Sequence, residues 1–258
     1  MAKSSPTLAD QLEQFVREQA AQFGDVISYV PAPSAPATTG DALATEPAAQ
    51  KVVNRLSELD AKLVAHASEA WTKATSLEIL NEQIHDCTKC DLASTRKNFV
   101  FGTGSPTANV MVIGEAPGAD EDEQGVPFIG RAGQLLTKML EAIKFSRDEV
   151  FITNILKSRP PNNRDPKSDE VAACEPYLWK QIQLIQPKFI LCFGRIAGQN
   201  LLKMEGAPLT KLRGVVHDYY GIPVIVTYHP AALLRNPDWK TGAWEDLQKF
   251  KAMYDASK

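Results

Sequence analysis

The strongest constraint on the fold is an alternation of apolar runs and helical patterns that begins at Asn109. Four runs, NVMVIG, VFITNIL, KFILCFG and IPVIVTY, are short and almost wholly apolar, and a segment with helical periodicity follows each of them, the last from about Ala243. Short apolar runs are typical of strands buried on both faces, and intervening helices imply parallel strands. We therefore predict an α/β fold of three layers, α/β/α, with a central four-stranded parallel sheet.

The chain before residue 84 follows a different pattern. Residues 1–30 contain apolar side chains at helical spacing and predict a short N-terminal helix. Residues 31–49 are rich in Pro, Ala and Thr and poor in large apolar side chains, which predicts a linker. Residues 50–83 again have a helical pattern and predict a helical extension. The main domain is expected over 84–258.

Composition and charge allow several kinds of partner. Hydrophobic residues make up 44% of the chain, which is enough for a sizeable core. There is no apolar run of the roughly 20 residues that a membrane span needs and no secretory signal, so we predict a cytoplasmic protein without a membrane partner. The net charge is −3, but residues 1–83 hold 6 Lys and Arg against 11 Asp and Glu, which leaves 22 against 20 in the rest. Charge therefore permits a nucleic-acid partner without indicating one.

The four segments that directly follow the strands are the candidate site. In parallel sheets, ligands bind beyond the carboxyl ends of the strands. The segments are GEAPGADED, KSRPPNNR, GRIAG and HPAALLRNP.

The four cysteines form one pattern, Cys87-x2-Cys90 followed much later by Cys174-x17-Cys192. Four thiols in a cytoplasmic protein point to a metal rather than to disulfides. Thiolates suit zinc or an iron-sulfur cluster, and the wide second spacing favours the cluster over a zinc ribbon. The alternative is that Cys174 and Cys192 are packed thiols, since free cysteine is often buried.

The segment after the first strand combines two glycine turns with an acidic run. Gly114 and Gly118 permit close backbone approaches, and a phosphate could bind at the helix start near Gly130. The acidic run over 120–123 would repel phosphate, and no P-loop Lys-Ser/Thr follows, so a nucleotide-phosphate site is disfavoured. The run itself is expected to be a solvated loop.

Three motifs carry a resemblance to a known family. GEAPGADEDEQGVPFIGRAGQLL, TNILKSRPPNNRDP and YHPAALLRNP, in this order and joined to the cysteine pattern, resemble the family 4, or iron-sulfur, uracil-DNA glycosylases. The likeness runs from about residue 84 to the C-terminus. It implies an enzyme that flips uracil out of DNA and hydrolyses its N-glycosidic bond, which initiates base-excision repair.

The resemblance also implies a cofactor and a set of site residues. A [4Fe-4S] cluster without a part in bond cleavage would be held by Cys87, Cys90, Cys174 and Cys192. The family often has Cys at the position of Ser158, and this change is expected to matter little because that cysteine is taken not to be a ligand. Catalytic roles fall on Glu115 and His229. Uracil-binding roles fall on Gly114, Ala116, Glu121, Phe128 and Asn154.

The partner implied is uracil-containing DNA, single- or double-stranded, bound by a monomer. Leu234 could act as an apolar wedge in the gap that a flipped base leaves. Arg235, Arg159 and Arg164 are candidates for phosphate contacts, and Lys157 is a further one. One relative with a covalent histidine has a basic insertion after the first motif, and this chain lacks it.

Two other classes of function remain open at this stage. One is a non-catalytic iron-sulfur protein that binds DNA or accompanies a polymerase. The other is a zinc-stabilised nucleotide hydrolase. The presence of Glu115, Asn154 and His229 favours the enzyme over the binding protein.

Overall fold

The centre of the fold is a six-stranded sheet, seen in a computed structural model that describes residues 58–258 of the protein. Its strands are β1 (Thr103–Gly104), β2 (Val110–Gly114), β3 (Phe151–Asn154), β4 (Phe189–Phe193), β5 (Val216–Tyr219) and β6 (Ile222–Thr227). Their order across the sheet is β1-β3-β2-β4-β6-β5.

The four strands predicted from the sequence are the four inner strands, and they are parallel. The predicted α/β fold is thus confirmed, but the sheet is wider than the expected four strands. β1 and β5 add one antiparallel strand at each edge. They lack an apolar run because β1 has only two residues and β5, VHDY, is half polar and largely exposed. Apolar periodicity therefore could not reveal them.

Helices cover both faces of the sheet. From residue 77 onward the α-helices are α1 (Leu77–Ile84), α2 (Ala119–Gln124), α3 (Arg131–Ala142), α4 (Ser168–Ile185), α5 (Arg195–Leu202), α6 (Leu209–Leu212), α7 (Pro230–Arg235) and α8 (Lys240–Ala256). Met111 and Ile113 of β2 share one buried cluster with Leu178 and Ile182 of α4. On the other face, Phe189 of β4 contacts Phe250 of α8, with ring centroids 6.0 Å apart. In residues 58–258, no helix is both long enough and apolar enough to cross a membrane.

The helical extension predicted over 50–83 is, in its described part, broken into pieces and packed on the domain. Residues 58–64 are helical, a 3₁₀ turn covers Ala70–Lys73, and α1 follows after a cap by Ser76. Leu59, Leu63 and Trp71 belong to the same buried cluster as strand β2, so residues 58–83 are continuous with the domain that we expected to begin at residue 84. The predicted helix over 1–30, the linker over 31–49 and the start of the extension lie outside the described residues.

This packing predicts opposite results for two adjacent substitutions in the full chain. Leu63 is 6% exposed whereas Val64 is 69% exposed. Leu63→Ala should lower the free energy of unfolding by about 2–5 kcal/mol, because it leaves a cavity in the core. Val64→Ala, the matched control, should change it by less than about 0.5 kcal/mol. Denaturant titration of both variants checks this, and equal stability would show that the segment is not part of the core.

Candidate active site

A cavity opens at the carboxyl ends of the parallel strands, where the sequence placed the site. Its volume is about 570 Å³. Eight of the predicted site residues line it: Glu115, Ala116, Glu121, Phe128, Asn154, Arg164, His229 and Arg235. Gly114 lies against the side chains that form its floor, whereas Arg159 and Leu234 are not on its wall.

The floor of the cavity depends on the close approach of two strand ends. Gly114 of β2 and Asn154 of β3 are paired in register. A Cβ on Gly114 would lie 2.3 Å from Asn154 Oδ1 and 2.6 Å from Phe128 Cζ, so only glycine allows both side chains to pack there. Asn154 is 2% exposed, and its Oδ1 has no hydrogen-bond donor. A buried acceptor without a partner is costly, so Asn154 Oδ1 is suited to accept from a donor on a ligand in the cavity.

Asn154 is held in place from behind by a buried lysine. Lys157 Nζ donates to the Asn154 carbonyl oxygen at 2.7 Å, to Thr153 Oγ1 at 2.6 Å and to Gln181 Oε1 at 2.7 Å. Burial lowers the pKa of Lys157 to about 7. The idea that Lys157 contacts phosphate is wrong, because its side chain is fully buried and its three donors face these acceptors.

Phe128 forms one side of the cavity in a conformation that its surroundings enforce. Its φ is 52°, which is unusual for a residue with a side chain. Glu121 Oε1 accepts hydrogen bonds from the backbone N–H groups of Ile129 at 3.2 Å and Gly130 at 3.4 Å. A Cβ on Gly133 would lie 1.8 Å from the Phe128 carbonyl oxygen, so helix α3 packs directly on this turn. The Glu121 carboxylate already occupies the N–H groups where a phosphate was considered.

The acidic run over 120–123 is not the solvated loop that we expected. It lies in helix α2, and Asp122 is buried. Asp122 Oδ1 accepts from the backbone N–H of Lys97 at 2.9 Å, while the Lys97 side chain pairs with Glu123. The run therefore fastens the segment before β1 to the wall of the cavity. Acidic composition alone could not distinguish this buried member from its solvated neighbours.

His229 presents a neutral imidazole to the cavity. It caps helix α7, and its Nδ1 accepts from the backbone N–H of Ala231 at 3.2 Å, which leaves the proton on Nε2. Burial, aided by the nearby charge of Arg235, lowers the pKa of His229 to about 4. Its ring lies 5.5 Å from the Phe128 ring, centroid to centroid. Near neutral pH, His229 is thus an uncharged N–H donor beside an aromatic wall.

Glu115 has a carboxyl group whose charge is poised near neutral pH. It directly follows β2 on the cavity wall. Burial raises the pKa of Glu115 to about 7, the negative charge of Asp165 raises it further, and Arg195 opposes the shift. Asp165 and Arg195 line the same cavity and pair at 3.6 Å. A carboxyl with such a pKa can take up a proton during a reaction at neutral pH.

The rim of the cavity contains aromatic residues that the sequence analysis did not single out. Tyr228 and Trp239 stack with ring centroids 5.3 Å apart, and Trp239 is 43% exposed. Tyr228 directly precedes His229, so its position just after a strand could have identified it as a site residue from the sequence. Trp239 lies ten residues beyond His229, and only the turn after α7 returns it to the rim.

The predicted DNA-contacting residues differ in their availability. Arg235 is exposed at the cavity, and Leu234 is partly buried beside it in α7. Arg164 makes a two-pronged ion pair with the buried carboxylate of Glu170. Arg159 donates to Asn163 Oδ1 at 2.8 Å in the same loop. Of these three arginines, Arg235 is therefore the one least engaged by other protein groups.

The structure brings three of the four cysteines together. Burial and, less strongly, the charge of Cys87 raise the pKa of Cys90, and burial with smaller contributions from both of these thiols raises the pKa of Cys174. Cys192 lies in β4 between Ile113 and Val226 of the neighbouring strands. Burial raises the pKa of its thiol.

The surroundings of the three thiols suit a thiolate-bound cluster. Tyr177 Oη donates to Cys87 Sγ at 3.1 Å, and the backbone N–H of Lys157 donates to Cys174 Sγ at 3.2 Å. Such donors stabilise charged sulfur in clusters. Within the described residues, no three Cys, His, Asp or Glu side chains are arranged to hold a single metal ion. A cluster has its ligands on separate irons, so this arrangement is compatible with it.

Comparison with known proteins identifies the family of the chain. Residues 101–248 match the family model of the Uracil DNA glycosylase superfamily. The chain belongs to this superfamily. The matched region contains every residue named above on the cavity wall, together with Cys174 and Cys192, whereas Cys87 and Cys90 precede it.

Several members of the superfamily are similar over most of their length. The Type-4 uracil-DNA glycosylase of Sulfurisphaera tokodaii is 46% identical over 186 residues, which are 69% of this chain and 84% of that protein. The Type-4 uracil-DNA glycosylase of Archaeoglobus fulgidus is 44% identical over 182 residues, 68% of this chain and 92% of that protein. The Thermotoga maritima protein of the same name is 40% identical over 185 residues, 70% and 96% of the two chains.

Proposed function

We propose that this chain excises uracil from DNA by hydrolysing the N-glycosidic bond, the step that initiates base-excision repair. The observation that carries the proposal is the buried Asn154 Oδ1, which has no donor in a cavity walled by Phe128 and His229. Uracil carries an N3–H donor that could satisfy this acceptor. The names of the similar proteins agree with this substrate.

Uracil is recognised by hydrogen bonds to the edge of its ring and by stacking against the face of its ring. Asn154 Oδ1 accepts from N3–H, and its amide nitrogen donates to O4. Phe128 offers an apolar face for stacking. Cytosine has an acceptor at N3 and a donor at N4, so it would leave buried groups unpaired at about 1–3 kcal/mol each. Glu121 acts indirectly, since its carboxylate holds the turn that positions Phe128.

His229 stabilises the departing base. When the C1′–N1 bond breaks, its electron pair leaves with uracil, and the negative charge spreads to O2. The Nε2–H of neutral His229 donates a hydrogen bond to O2 as this charge develops, which is the logic of an oxyanion hole. The low pKa of His229, about 4, keeps it a neutral donor that does not need to transfer its proton.

Glu115 serves the sugar side of the reaction. Its ionised carboxylate orients a water molecule toward C1′, where positive charge develops. The water oxygen bonds to C1′, and the proton that it loses passes to Glu115, whose pKa of about 7 suits that transfer. The products are an abasic deoxyribose and a uracil anion that solvent protonates.

DNA must deliver the uracil outside the base stack. Extrusion costs a few kcal/mol, and less at a mismatch or in a single strand. Leu234 on α7 is the proposed wedge in the gap, and Arg235 the main phosphate contact, with Arg164 and Arg159 secondary. We propose single- or double-stranded uracil-containing DNA as the partner, a monomer as the acting species and the cytoplasm as the compartment.

A [4Fe-4S] cluster is the proposed cofactor, held through Cys87, Cys90 and Cys174. Such a cluster would cross-link the segment before the sheet to helix α4 and take no part in bond cleavage. The hydrogen bonds from Tyr177 and the Lys157 backbone to two of the sulfurs support this assignment.

A single assay separates an enzyme from a non-catalytic DNA-binding protein. Single- and double-stranded DNA that contains one uracil is incubated with the protein under single-turnover conditions, and abasic sites are then cleaved with alkali. The parental chain should produce strand breaks at the uracil. His229→Ala should react about 100- to 1000-fold more slowly with nearly unchanged DNA affinity, since its hydrogen bond strengthens mainly in the transition state. Binding without cleavage by the parental chain would favour the non-catalytic alternative.

Asn154→Asp should weaken recognition of uracil. The second carboxylate oxygen would face uracil O4 in place of the amide donor and repel it. The rate on uracil should fall about 10- to 100-fold, equivalent to one unpaired buried group, and activity on cytosine could emerge. Asn163→Asp is the matched control, because it adds the same charge at an exposed position of the cavity. If both variants keep the parental preference, Asn154 does not read the base.

The rate of excision should depend on pH through Glu115. The carboxyl is raised to a pKa of about 7, so its ionised form grows as pH rises from 6 to 8, and the single-turnover rate should rise and then level. Asp165→Asn removes a repelling charge and should move this profile to lower pH. Asp169→Asn, an exposed control nearby, should leave it in place. An identical profile in all three proteins would remove Glu115 from this role.

A further inference from the structure

We propose that Ser158 holds the fourth place of the iron-sulfur ligand set and that Cys192 is a packed core thiol outside it. The inference rests on the proposed cluster and concerns how this particular chain holds it. It reverses the expectation that the serine at this position matters little.

Cys192 is separated from the other thiols by its place in the sheet. It is fully buried in the second-last residue of β4, with β2 on one side and β6 on the other. Its side chain belongs to the buried core cluster together with Ile113 and Val226, whereas Cys87 and Cys90 are only partly buried in the loop before the sheet.

Ser158 adjoins all the segments that carry the three thiols. One nitrogen of Arg96, Nη1, donates both to the Cys87 carbonyl oxygen at 2.5 Å and to Ser158 Oγ at 3.3 Å. On its other side, Ser158 directly follows Lys157, whose N–H donates to Cys174 Sγ. The Ser158 side chain is buried, with 6% of the residue exposed. The Ser158 hydroxyl thus contacts the arginine that binds the Cys87 loop, and its residue adjoins the backbone N–H that contacts Cys174 Sγ.

The other polar side chains near these thiols are already engaged. Glu170 acts on Cys90, but its carboxylate is paired with Arg164 and accepts from the Lys167 backbone N–H at 2.8 Å. His85 has Nδ1 at 2.9 Å from the Glu82 carbonyl oxygen and Nε2 at 3.1 Å from Asp86. Within the described residues, Ser158 Oγ by contrast makes one long hydrogen bond, from Arg96 at 3.3 Å, which makes it the less firmly held oxygen.

A serine in this place changes how firmly the iron is held. Soft thiolates are the preferred ligands of iron-sulfur clusters, and a hydroxyl is a harder and weaker ligand. Three thiolates would anchor the cluster, while the iron beside Ser158 would be released more easily. A chelator should then remove one iron faster than it removes the others.

The test uses the full chain purified without oxygen and measures iron per chain, visible absorbance and the rate at which a ferrous chelator removes iron. Ser158→Cys should slow the first phase of iron loss about tenfold or more, since even indirect partners of metal ligands change affinity about 10- to 100-fold. Ser158→Ala should accelerate it. Cys192→Ala should keep the parental iron content and rate, whereas Cys174→Ala should lose the chromophore.

A matched control excludes a trivial effect of an added thiol. Ser94→Cys introduces one four residues after Cys90, at an exposed position whose hydroxyl donates to the Asp91 carbonyl oxygen. It should leave the rate of iron loss at the parental value. Slowing by Ser94→Cys equal to that by Ser158→Cys would overturn the assignment.

Other outcomes are equally decisive. Loss of iron in Cys192→Ala at normal folding, or equal release rates in all Ser158 variants, would overturn the proposal. A parental chain without iron would remove the cluster and Ser158 together. Because strand cleavage at uracil is measured separately, none of these results would by itself remove the glycosylase activity.

Discussion

The missing Cβ at Gly114 is the constraint on which the site depends. It allows the ends of β2 and β3 to present Asn154 and Phe128 in one small volume, where a methyl group would meet both. The cost of that arrangement is a buried acceptor without a donor and an aromatic residue with φ of 52°. Both features are tolerated because hydrogen bonds hold the two residues in place. Lys157 binds the backbone carbonyl of Asn154, and Glu121 binds the backbone N–H of Ile129, next to Phe128. The floor is thus shaped before any ligand binds.

Two titratable groups in the same cavity have different protonation behaviour and therefore different proposed roles. Burial moves His229 and Glu115 in opposite directions, because it disfavours the charged form of each. His229 becomes a neutral hydrogen-bond donor, while Glu115 acquires a pKa near 7 and can exchange a proton. The proposed reaction needs one group of each kind, on opposite sides of the bond that breaks. Arg235 and Asp165 then adjust the two pKa values from the rim.

The thiol site and the cavity share a structural connection at Lys157. Its backbone N–H donates to Cys174, and its ammonium group donates to the Asn154 carbonyl oxygen. A change in how the cluster is held could therefore disturb the position of Asn154 without any chemical role for iron. This makes the identity of residue 158, directly adjacent to Lys157, relevant to more than the cofactor.

The sequence by itself determined the four parallel strands, the segments at their carboxyl ends and the candidates Glu115, Phe128, Asn154 and His229, because apolar periodicity and dense motifs are local signals. Tertiary structure decided what depends on distance. It showed the exposed edge strands, the burial of Lys157 and Asp122, and the rim position of Trp239. Spacing grouped four cysteines, but sheet register placed Cys192 among core side chains, and hydrogen bonds brought Ser158 to the arginine that binds the Cys87 loop. Sequence separation does not encode which side chains meet across a fold, since the packing of strands and helices sets that distance.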